Sequence, residues 1–599
     1  MSPFAALLSL PLLVAQGGPA PDLKQLADQL AHGIRAHQND DGTYGAGLAD
    51  TCRVLDALGR SPRRYTDLDG PFIRRAAERV AASRPDPATD ALVALALAGS
   101  LTRPHVEARD AAVARLLEPG ARPGFERALA LATLRPDVKP SGSATAGDPA
   151  LACLLASDPA SVAAPPVADV EAWTRWARAA LLRGVTPSAQ PAPPEPKPDA
   201  SLTELVAALE TVDVLSGLKR PAPGSSAGAP PAATVEKPAR VAAPHDLAAA
   251  LERAWTFLEA HQHDGTFGLE LGGWDGAEPG ITALDLSAAC WLAERLGRER
   301  PKWIDQGLDY LVSLQKPDGA IALHGLDVYT TSVAIEALQA GGREGDRPVI
   351  ERARQYLVAT QSDEGEGYSL ESDPLYGGIG YGGDERPDLS NTQMALEAAT
   401  RAGTPAGDPL YAKALVFLER CQNLGERTAL EWPRPGGGTL VSGTDGGATY
   451  MPGNSFAGEI DRGDGTWQAR SYGSMTYALV KSYLFCGLKP DDERVAAAVR
   501  WLGRNFTVET NPGYAQPSEG AQGLYYYYLA LARTLSALPG EFRGEDGQSI
   551  AWREQLVDKL LREQRVDGSW INDGSPRWWE GAPTLCTAYA LLALQAAGA

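Results

Sequence analysis

The sequence predicts an all-α protein whose C-terminal region, residues 244–599, folds as an α/α toroid of six helical hairpins. Three observations predict it. A helix–turn–helix unit recurs beyond residue 244, the second helix of each unit is the more apolar one, and the N-terminal region shows no strand-like alternation. One hairpin cannot bury both of its helices, so hairpins must stack, and a ring that closes leaves no exposed apolar end.

The composition is that of an acidic globular protein. The chain has 599 residues, 44% hydrophobic and 22% charged, and a formal net charge of −20. Its long-range field repels phosphate, which argues against nucleic acid and anionic membranes as partners. No apolar run long enough to span a bilayer follows the first twenty residues, so we expect no integral membrane span.

Residues 1–20 resemble a signal peptide. Phe4 to Ala15 form a short apolar stretch, and Ala15 and Gly17 offer a cleavage site with small residues. We therefore expect a periplasmic or secreted protein. The alternative is a cytoplasmic protein with an apolar N-terminus, because the segment lacks Lys and Arg.

Two segments precede the toroid. Residues 21–185 are rich in Ala, Leu and Arg and predict a helical region that opens with one hairpin of the toroid type, HQNDDGTY at 37–44 followed by DTCRVLDAL at 50–58. Residues 186–243 are rich in Pro and Ala and predict an extended linker, interrupted by one amphipathic helix from Ser201 to Leu215.

The repeat in 244–599 is built on a turn. A first helix ends near Gln, an Asp-Gly turn follows, and Gly supplies the backbone conformation that other residues resist. An aromatic or aliphatic residue then packs back before the second helix. We expect the second helices to form the inner ring and to begin near Ile281, Val328, Asp388, Ser471, Gln522 and Thr584.

One turn identifies a family. Gln564–Trp570 matches the QW repeat of terpenoid cyclases, and Gln315–Ile321 and Gln38–Tyr44 are weaker copies. The chain therefore resembles the α/α-toroid superfamily of squalene-hopene cyclases and protein prenyltransferase β-subunits. The resemblance implies the architecture and, as a ligand, an isoprenoid or another apolar small molecule.

The motifs for the chemistry of these families are incomplete. Squalene-hopene cyclases carry Asp-x-Asp-Asp-Thr at the start of an inner helix, and its middle Asp protonates the substrate. The nearest segments here are 327–331 and 388–392, where Tyr329 and Ser390 stand at the donor position. Both are far too weak as acids to protonate an alkene. No Asp-x-Cys matches the prenyltransferase zinc ligands, so we expect no metal and no cofactor.

The six cysteines are far apart and predict small buried side chains rather than a disulfide framework or a zinc site: Cys52, Cys153, Cys290, Cys421, Cys486 and Cys586.

Acidic and aromatic residues in the loops that enter the inner helices form the candidate site. The catalytic candidates are Asp388, Asp327 and Asp384, although Asp388 and Asp327 also stand where a helix N-cap belongs. Aromatic walls suit isoprenoid chains and sugar rings, although each aromatic also suits plain core packing. The substrate-binding candidates are Tyr329, Tyr381, Trp467, Tyr472 and Trp578.

Three functions are compatible with these residues. The first is an isoprenoid-handling toroid that lacks the proton donor and the zinc ligands of its relatives; it predicts a deep apolar cavity. The second is a non-catalytic, exported repeat protein that binds a partner; it predicts a filled cavity and carboxylates used as caps. The third is a carbohydrate-active α/α barrel, which predicts an open groove with two carboxylates about 5–10 Å apart.

Overall fold

The chain divides into two compact units in a computed structural model, Met1–Pro230 and Pro231–Ala599. The structure describes residues 23–84, 86–118, 124–138, 148–194, 197, 200–219, 239–242, 245–269, 276–323, 326–371, 373–382, 386–428, 431–434 and 438–599. The predicted signal peptide, residues 1–20, lies outside these ranges.

The N-terminal unit contains nine α-helices among its described residues: α1 (Leu23–Arg35), α2 (Leu48–Arg60), α3 (Pro71–Ala81), α4 (Asp90–Ala96), α5 (Arg103–Leu116), α6 (Phe125–Leu134), α7 (Pro149–Leu155), α8 (Val170–Leu182) and α9 (Leu202–Lys219).

Five of these helices form a small ring of their own. α2, α4, α6 and α8 pack one against the next, and α9 packs on α8, α1 and α2. An ion cluster holds three of them together, since Asp56 of α2 binds Arg178 of α8 and Arg60 of α2 binds Asp213 of α9. The helix foreseen at Ser201–Leu215 is α9, and it belongs to the core of this unit although it lies within the segment expected as a linker.

The C-terminal unit consists of six hairpins, each with an outer and an inner helix. The outer helices are α10 (Leu247–His261), α12 (Lys302–Ser313), α14 (Arg347–Ala359), α16 (Pro409–Cys421), α18 (Glu493–Arg504) and α20 (Trp552–Glu563). The inner helices are α11 (Pro279–Arg295), α13 (Asp327–Gly341), α15 (Leu389–Arg401), α17 (Gly473–Phe485), α19 (Leu524–Ala537) and α21 (Pro583–Ala597).

The inner helices close a ring. Each of them, from α11 to α21, packs against the next inner helix, and α21 packs back on α11. The inner helices are buried almost all round, with α21 buried at twelve of its fifteen residues. Each inner helix begins within two residues of the start that the sequence predicts.

A glutamine at or near the end of an outer helix ties neighbouring hairpins together. Its side-chain amide donates to a backbone carbonyl in the first turn of the following outer helix. The four bonds are Gln315 to Val349 at 2.8 Å, Gln361 to Leu410 at 3.0 Å, Gln422 to Arg494 at 2.9 Å and Gln564 to Ala250 at 2.8 Å. The last of them joins the sixth hairpin to the first, so the QW turn also helps to close the ring.

A small sheet interrupts the helical pattern between α16 and α17. It has four short strands, β1 (Glu431–Pro433), β2 (Thr439–Val441), β3 (Glu459–Asp461) and β4 (Thr466–Ala469), in the order β1-β2-β4-β3. β2 and β4 run parallel, and the other two pairs are antiparallel. Runs of three or four residues are too short to show strand periodicity, so the sequence does not reveal this sheet.

The predicted all-α fold class is confirmed, with this sheet as an addition. The described residues contain no helix that is long and apolar enough to cross a membrane.

Candidate functional site

The inner helices all start on one face of the ring, here called the mouth face. It consists of the six segments that lead from the end of an outer helix to the start of the next inner helix. Backbone hydrogen bonds join the start of an inner helix to the neighbouring segment. The amide of Val328 donates to the carbonyl of Tyr381, and the amide of Leu389 donates to the carbonyl of Tyr450. The segments therefore support one another around the ring.

Below the mouth face, side chains meet across the ring in a group we call the tyrosine layer: Tyr329, Ser390, Gln393, Tyr526 and Tyr589. The hydroxyls of Tyr329 on α13 and Tyr589 on α21 lie 2.6 Å apart. Those of Ser390 on α15 and Tyr526 on α19 lie 2.9 Å apart. Both pairs join inner helices that are not neighbours, so the contacts span the interior of the ring.

Gln393 adds an amide to this layer. Its Nε2 lies 3.3 Å from the hydroxyl of Tyr526, while its buried Oε1 has no hydrogen-bond partner among the described residues. A buried acceptor without a donor is costly. The interior at this level is thus polar as well as aromatic.

About two helical turns further along, charged side chains cross the ring in the ion layer: Glu336, Glu397, Arg401, Lys481 and Arg533. Lys481 lies 2.5 Å from Glu397, and both are almost completely buried. Arg533 on α19 pairs with Glu336 on α13, the inner helix opposite to it in the ring. Arg401 binds the other oxygen of Glu397 at 2.7 Å.

The charges in the ion layer stabilise one another. Burial alone would raise the pKa of Glu397, but Lys481, Arg533 and Arg401 outweigh it and hold the pKa well below its usual range. Glu397 therefore stays ionised in the interior. Charged groups that are desolvated in this way survive only when they are paired.

Asp388 caps helix α15. Its Oδ1 accepts the backbone N–H of Asn391 at 2.8 Å, and its Oδ2 accepts the side-chain amide of Asn391 at 2.7 Å. Burial raises the pKa of Asp388 to about 6, against the hydrogen bonds from Asn391 and Tyr450. The carboxyl group is thus engaged at its own helix end, whereas the donor position of the family motif, Ser390, belongs to the tyrosine layer.

Of the other two catalytic candidates, the structure describes only Asp327. Asp327 opens α13, where its carboxylate forms an ion pair of 2.5 Å with Lys316 of the preceding turn. Asp384 lies outside the described residues. Of the three acids predicted as catalytic, the structure therefore describes two, and each of these two has a structural partner nearby in the chain.

Three of the candidate substrate-binding aromatics lie close to the tyrosine layer or belong to it. Tyr329 lies in the tyrosine layer, and Tyr381 shares a hydrogen bond with Tyr450. Tyr472 is buried at the start of α17, where its ring packs edge-on against Tyr514 at 5.6 Å. Trp467 lies in strand β4, with the Arg434 guanidinium 3.7 Å from its ring. Tyr329, Tyr381 and Tyr472 all interact electrostatically with Tyr526 of the tyrosine layer, whereas Trp467 contacts Arg434 in the small sheet.

Trp578, the fifth aromatic candidate, lies in the mouth segment before α21. Trp578 and Trp579 adopt the left-handed conformation, with φ of 55° and 65°. Such backbone is strained for non-glycine residues. The next residue, Glu580, is buried and accepts the amide of Tyr526 at 2.9 Å, which ties this segment to α19.

Glu580 is poised between its two protonation states. Burial raises its pKa to about 7, although hydrogen bonds from the Tyr526 amide and the Asn572 side chain favour the charged form. Its two oxygens are both occupied, Oε2 accepting the Asn572 amide at 2.6 Å. Like Asp388, it serves a helix start.

The structure offers no recognisable metal site in its described part. No group of three or more His, Cys, Asp or Glu side chains there is arranged to hold a metal ion. None of the six cysteines, all of which the structure describes, forms a disulfide, and four of them are buried.

The ion layer was not predicted from the sequence. Each member of its buried core is a lone charge within an apolar inner helix, as with Lys481 in MTYALVKSYLF and Arg533 in YYYYLALARTL. Lone charges in such helices signal a buried pair, because Lys, Glu and Arg are almost never buried without a partner. The pairing itself depends on which helices face each other across the ring.

Comparisons with known proteins give distant likenesses only. No family model matches the chain, and the search of curated proteins yields no match. Solved structures similar to it include a protein from Actinoplanes, with 19% identity over 59% of this chain and 100% of that one and a TM-score of 0.35.

Two further solved structures are similar to parts of the chain. A type II terpene cyclase from Scytonema, in complex with geranylgeranyl dihydroxybenzoate, shows 14% identity over 59% of this chain and 97% of its own, with a TM-score of 0.36. The ent-copalyl diphosphate synthase from Streptomyces platensis shows 16% identity over 78% of this chain and 96% of its own, with a TM-score of 0.22.

Proposed function

We propose that the C-terminal unit is a non-catalytic binding toroid that holds a partner on its mouth face. The observation that carries the proposal is the ion layer. Lys481 and Glu397 are buried in the ring at 4% and 6% side-chain exposure, and Arg533 meets Glu336 from the opposite helix. A polyprenyl chain in this space would have to lie against desolvated charges, which is unfavourable.

The tyrosine layer supports the same conclusion. Cyclisation needs a strong neutral acid that points at the substrate. The position that matches the family's donor is Ser390, and its hydroxyl is engaged with Tyr526. The nearby acid, Asp388, bonds Asn391 at the start of α15. Asp388 thus serves as a cap, as the second hypothesis requires, whereas Asp327 is paired with Lys316 and does not cap its helix.

A second candidate is the binding of an isoprenoid or another apolar small molecule between the mouth face and the tyrosine layer. The aromatic rings of Tyr526 and Tyr589, whose centroids lie 6.2 Å apart, favour it. The carbohydrate-active alternative has less support, since it needs two catalytic carboxylates and the buried acids Asp388 and Glu580 are both engaged as caps.

Export belongs to the proposal as well, on the strength of the apolar segment at residues 1–20. Fractionation of the native host tests it. We expect the protein in the periplasm or the medium, with a mass that lacks the first residues; a full-length cytoplasmic protein would contradict export without touching the binding proposal.

The binding proposal is tested by site-specific photo-crosslinking in the host. A benzophenone amino acid replaces Leu323 on the mouth face or, as the matched control, Glu545 on the opposite face; both side chains are exposed. We expect a discrete adduct from position 323 and none from position 545. Equal adducts from both positions would contradict a mouth-specific partner.

A second arm addresses chemistry. The purified protein is incubated with squalene and with geranylgeranyl diphosphate, and the extracts are analysed by gas chromatography with mass spectrometry. We expect unchanged substrate. A cyclised product would overturn the proposal, and a co-purified isoprenoid in native mass spectrometry would favour the second candidate.

A further inference from the structure

Exposed large apolar side chains of the C-terminal unit are confined to one face. In the described part of this unit they all lie in mouth-face segments: Leu323, Leu370, Val566, Trp578 and Trp579. The outer helices and the connections on the opposite face contribute none among these residues. Scattered apolar residues need no explanation, but a one-sided distribution marks an interaction surface.

Both tryptophans are exposed, and Trp578 is held in place by its neighbours. Trp578 and Trp579 remain 41% and 43% exposed. The Phe456 ring packs edge-on against Trp578 at 5.2 Å, and the Arg577 guanidinium lies 4.5 Å from the same indole. Two successive left-handed residues are strained, so the packing around Trp578 maintains a conformation in which both indoles are accessible.

Exposed acids occur in the same mouth-face segments as these apolar groups. The Asp-Gly turns place an acid in mouth-face segments around the ring, and acidic residues outnumber basic ones in the described parts of the segments. The basic residues there are Lys316, which is paired with Asp327, and arginines, of which Arg577 is exposed beside Trp578. Exposed examples are Asp264, Asp318, Glu364, Glu366, Asp464 and Asp567.

We infer that the partner of the mouth face is a basic protein segment whose apolar side chains pack on Trp578 and Trp579; this deepens the proposed function and rests on it. Aromatic anchors supply affinity at protein interfaces, and complementary charge supplies specificity and rate. A neutral sugar would leave the acids without counterparts, and an anionic lipid surface would be repelled by them.

Isothermal titration calorimetry on the full chain tests the inference with a peptide of alternating lysine and leucine. A glutamate–leucine peptide controls for apolar contact alone. We expect the lysine peptide to bind and the glutamate peptide not to bind. Binding of both peptides with equal affinity would overturn the charge argument.

Point variants locate the binding. We expect W579A to weaken the lysine peptide about tenfold and W579F to retain most of the affinity, because a planar aromatic surface remains. The matched control is L182A in the N-terminal unit, where Leu182 is 42% exposed, and it should bind like the wild type. An unchanged affinity in W579A, at an unchanged melting temperature, would overturn the assignment.

A charge series separates the two faces. The mouth-face set replaces acidic turn residues by amides, which keep the acceptor oxygen of each turn: D318N, D464N and D567N. The opposite-face set removes the same charge: D491N, E545Q and D546N. We expect the mouth-face set to weaken the lysine peptide several-fold and to flatten its salt dependence, and the other set to act less. Equal effects would contradict a localised surface.

Failure of this inference is distinguishable from failure of the proposed function. Titrations with maltohexaose and with phosphatidylcholine vesicles are run in parallel. If either binds in place of the lysine peptide and loses affinity in W579A, the partner class is wrong but the mouth face remains a binding surface. Turnover of geranylgeranyl diphosphate would instead overturn the proposed function itself.

Discussion

Replacement of Glu397 by Gln tests whether the ion layer is as desolvated as the structure indicates. Lys481 is 4% exposed and has Glu397 as its carboxylate partner, at 2.5 Å. The variant leaves that ammonium buried without a counter-charge. Breaking one partner of a buried ion pair costs about 3–5 kcal/mol, and we expect a loss of this size in the free energy of unfolding.

Two further variants make the argument specific. Lys481→Met should cost less than Glu397→Gln, because Glu397 keeps Arg401 at 2.7 Å and Arg533 at 3.6 Å. The double variant should recover part of the loss, since neither member of the pair is then left alone. The control is Glu351→Gln, whose exposed pair with Arg354 should contribute less than about 1 kcal/mol.

Urea denaturation followed by circular dichroism measures the four variants, and hydrogen exchange in α15, α17 and α19 assigns the loss to the C-terminal unit. The pH dependence follows from the lowered pKa of Glu397. Its contribution is present above the ordinary glutamate pKa and is lost as the pH falls towards the native value. The reasoning is refuted if Glu397→Gln costs no more than Glu351→Gln.

The remaining predictions concern the caps, the ties and one turn. Burial raises the native pKa values of Glu580 and Asp388 to about 7 and about 6, so their contribution to stability is complete in acid and falls as the pH rises through these values. Each group loses up to about 3 kcal/mol of the free energy of unfolding. Melting temperatures measured between pH 4 and 8 should show this loss, and the profile should be flatter when both residues are replaced by amides. Gln422→Leu should cost about 2–3 kcal/mol in urea denaturation, because the carbonyls of Gly446 and Arg494 lose their donor. Gly568→Ala should destabilise the protein far more than Gly297→Ala. Both glycines have positive φ, but only at Gly568 would a Cβ lie 2.1 Å from a backbone oxygen, that of Arg253. Equal melting temperatures for the two variants would contradict the close approach of the Arg253 carbonyl to Gly568.

Local signals made the hairpins predictable. The Gln and Asp-Gly turn and the apolar second helix are short-range patterns, and together they place the starts of the inner helices within two residues. The same tie persists at Gln422, in a hairpin whose turn is otherwise atypical, because its function needs only the amide and a carbonyl at the next outer helix. The ring in the N-terminal unit escaped notice because its later hairpins lack the glutamine turn.

Contacts between residues far apart in the chain could not be predicted from the sequence. The residue pattern identifies Asp388 as a cap or an acid, and only the bonds to Asn391 decide between these roles. Glu336 and Arg533 lie 197 residues apart in the chain. Nothing local to either residue indicates that they meet, because their contact depends on the number of hairpins that close the ring.

The tyrosine layer and the ion layer hold together the ring that carries the mouth-face loops. Side chains from opposite helices meet at the centre and fix the inner ring. Loops on a rigid frame are where proteins place recognition, because such loops keep a defined shape at little cost. Four of the five connections on the opposite face have five to seven residues, as at 342–346, and the fifth runs from 538 to 551, whereas the mouth segment between α16 and α17 runs from 422 to 472.

That long segment is Gly-rich and costly to order, yet it bonds its neighbours, the amide of Ala515 donating to the carbonyl of Ala457. Phe456 in the same segment supports Trp578. A chain that needed only a closed ring would gain nothing from these long, mutually braced loops. Their presence on a single face, together with the exposed indoles, is the strongest structural argument that recognition takes place there.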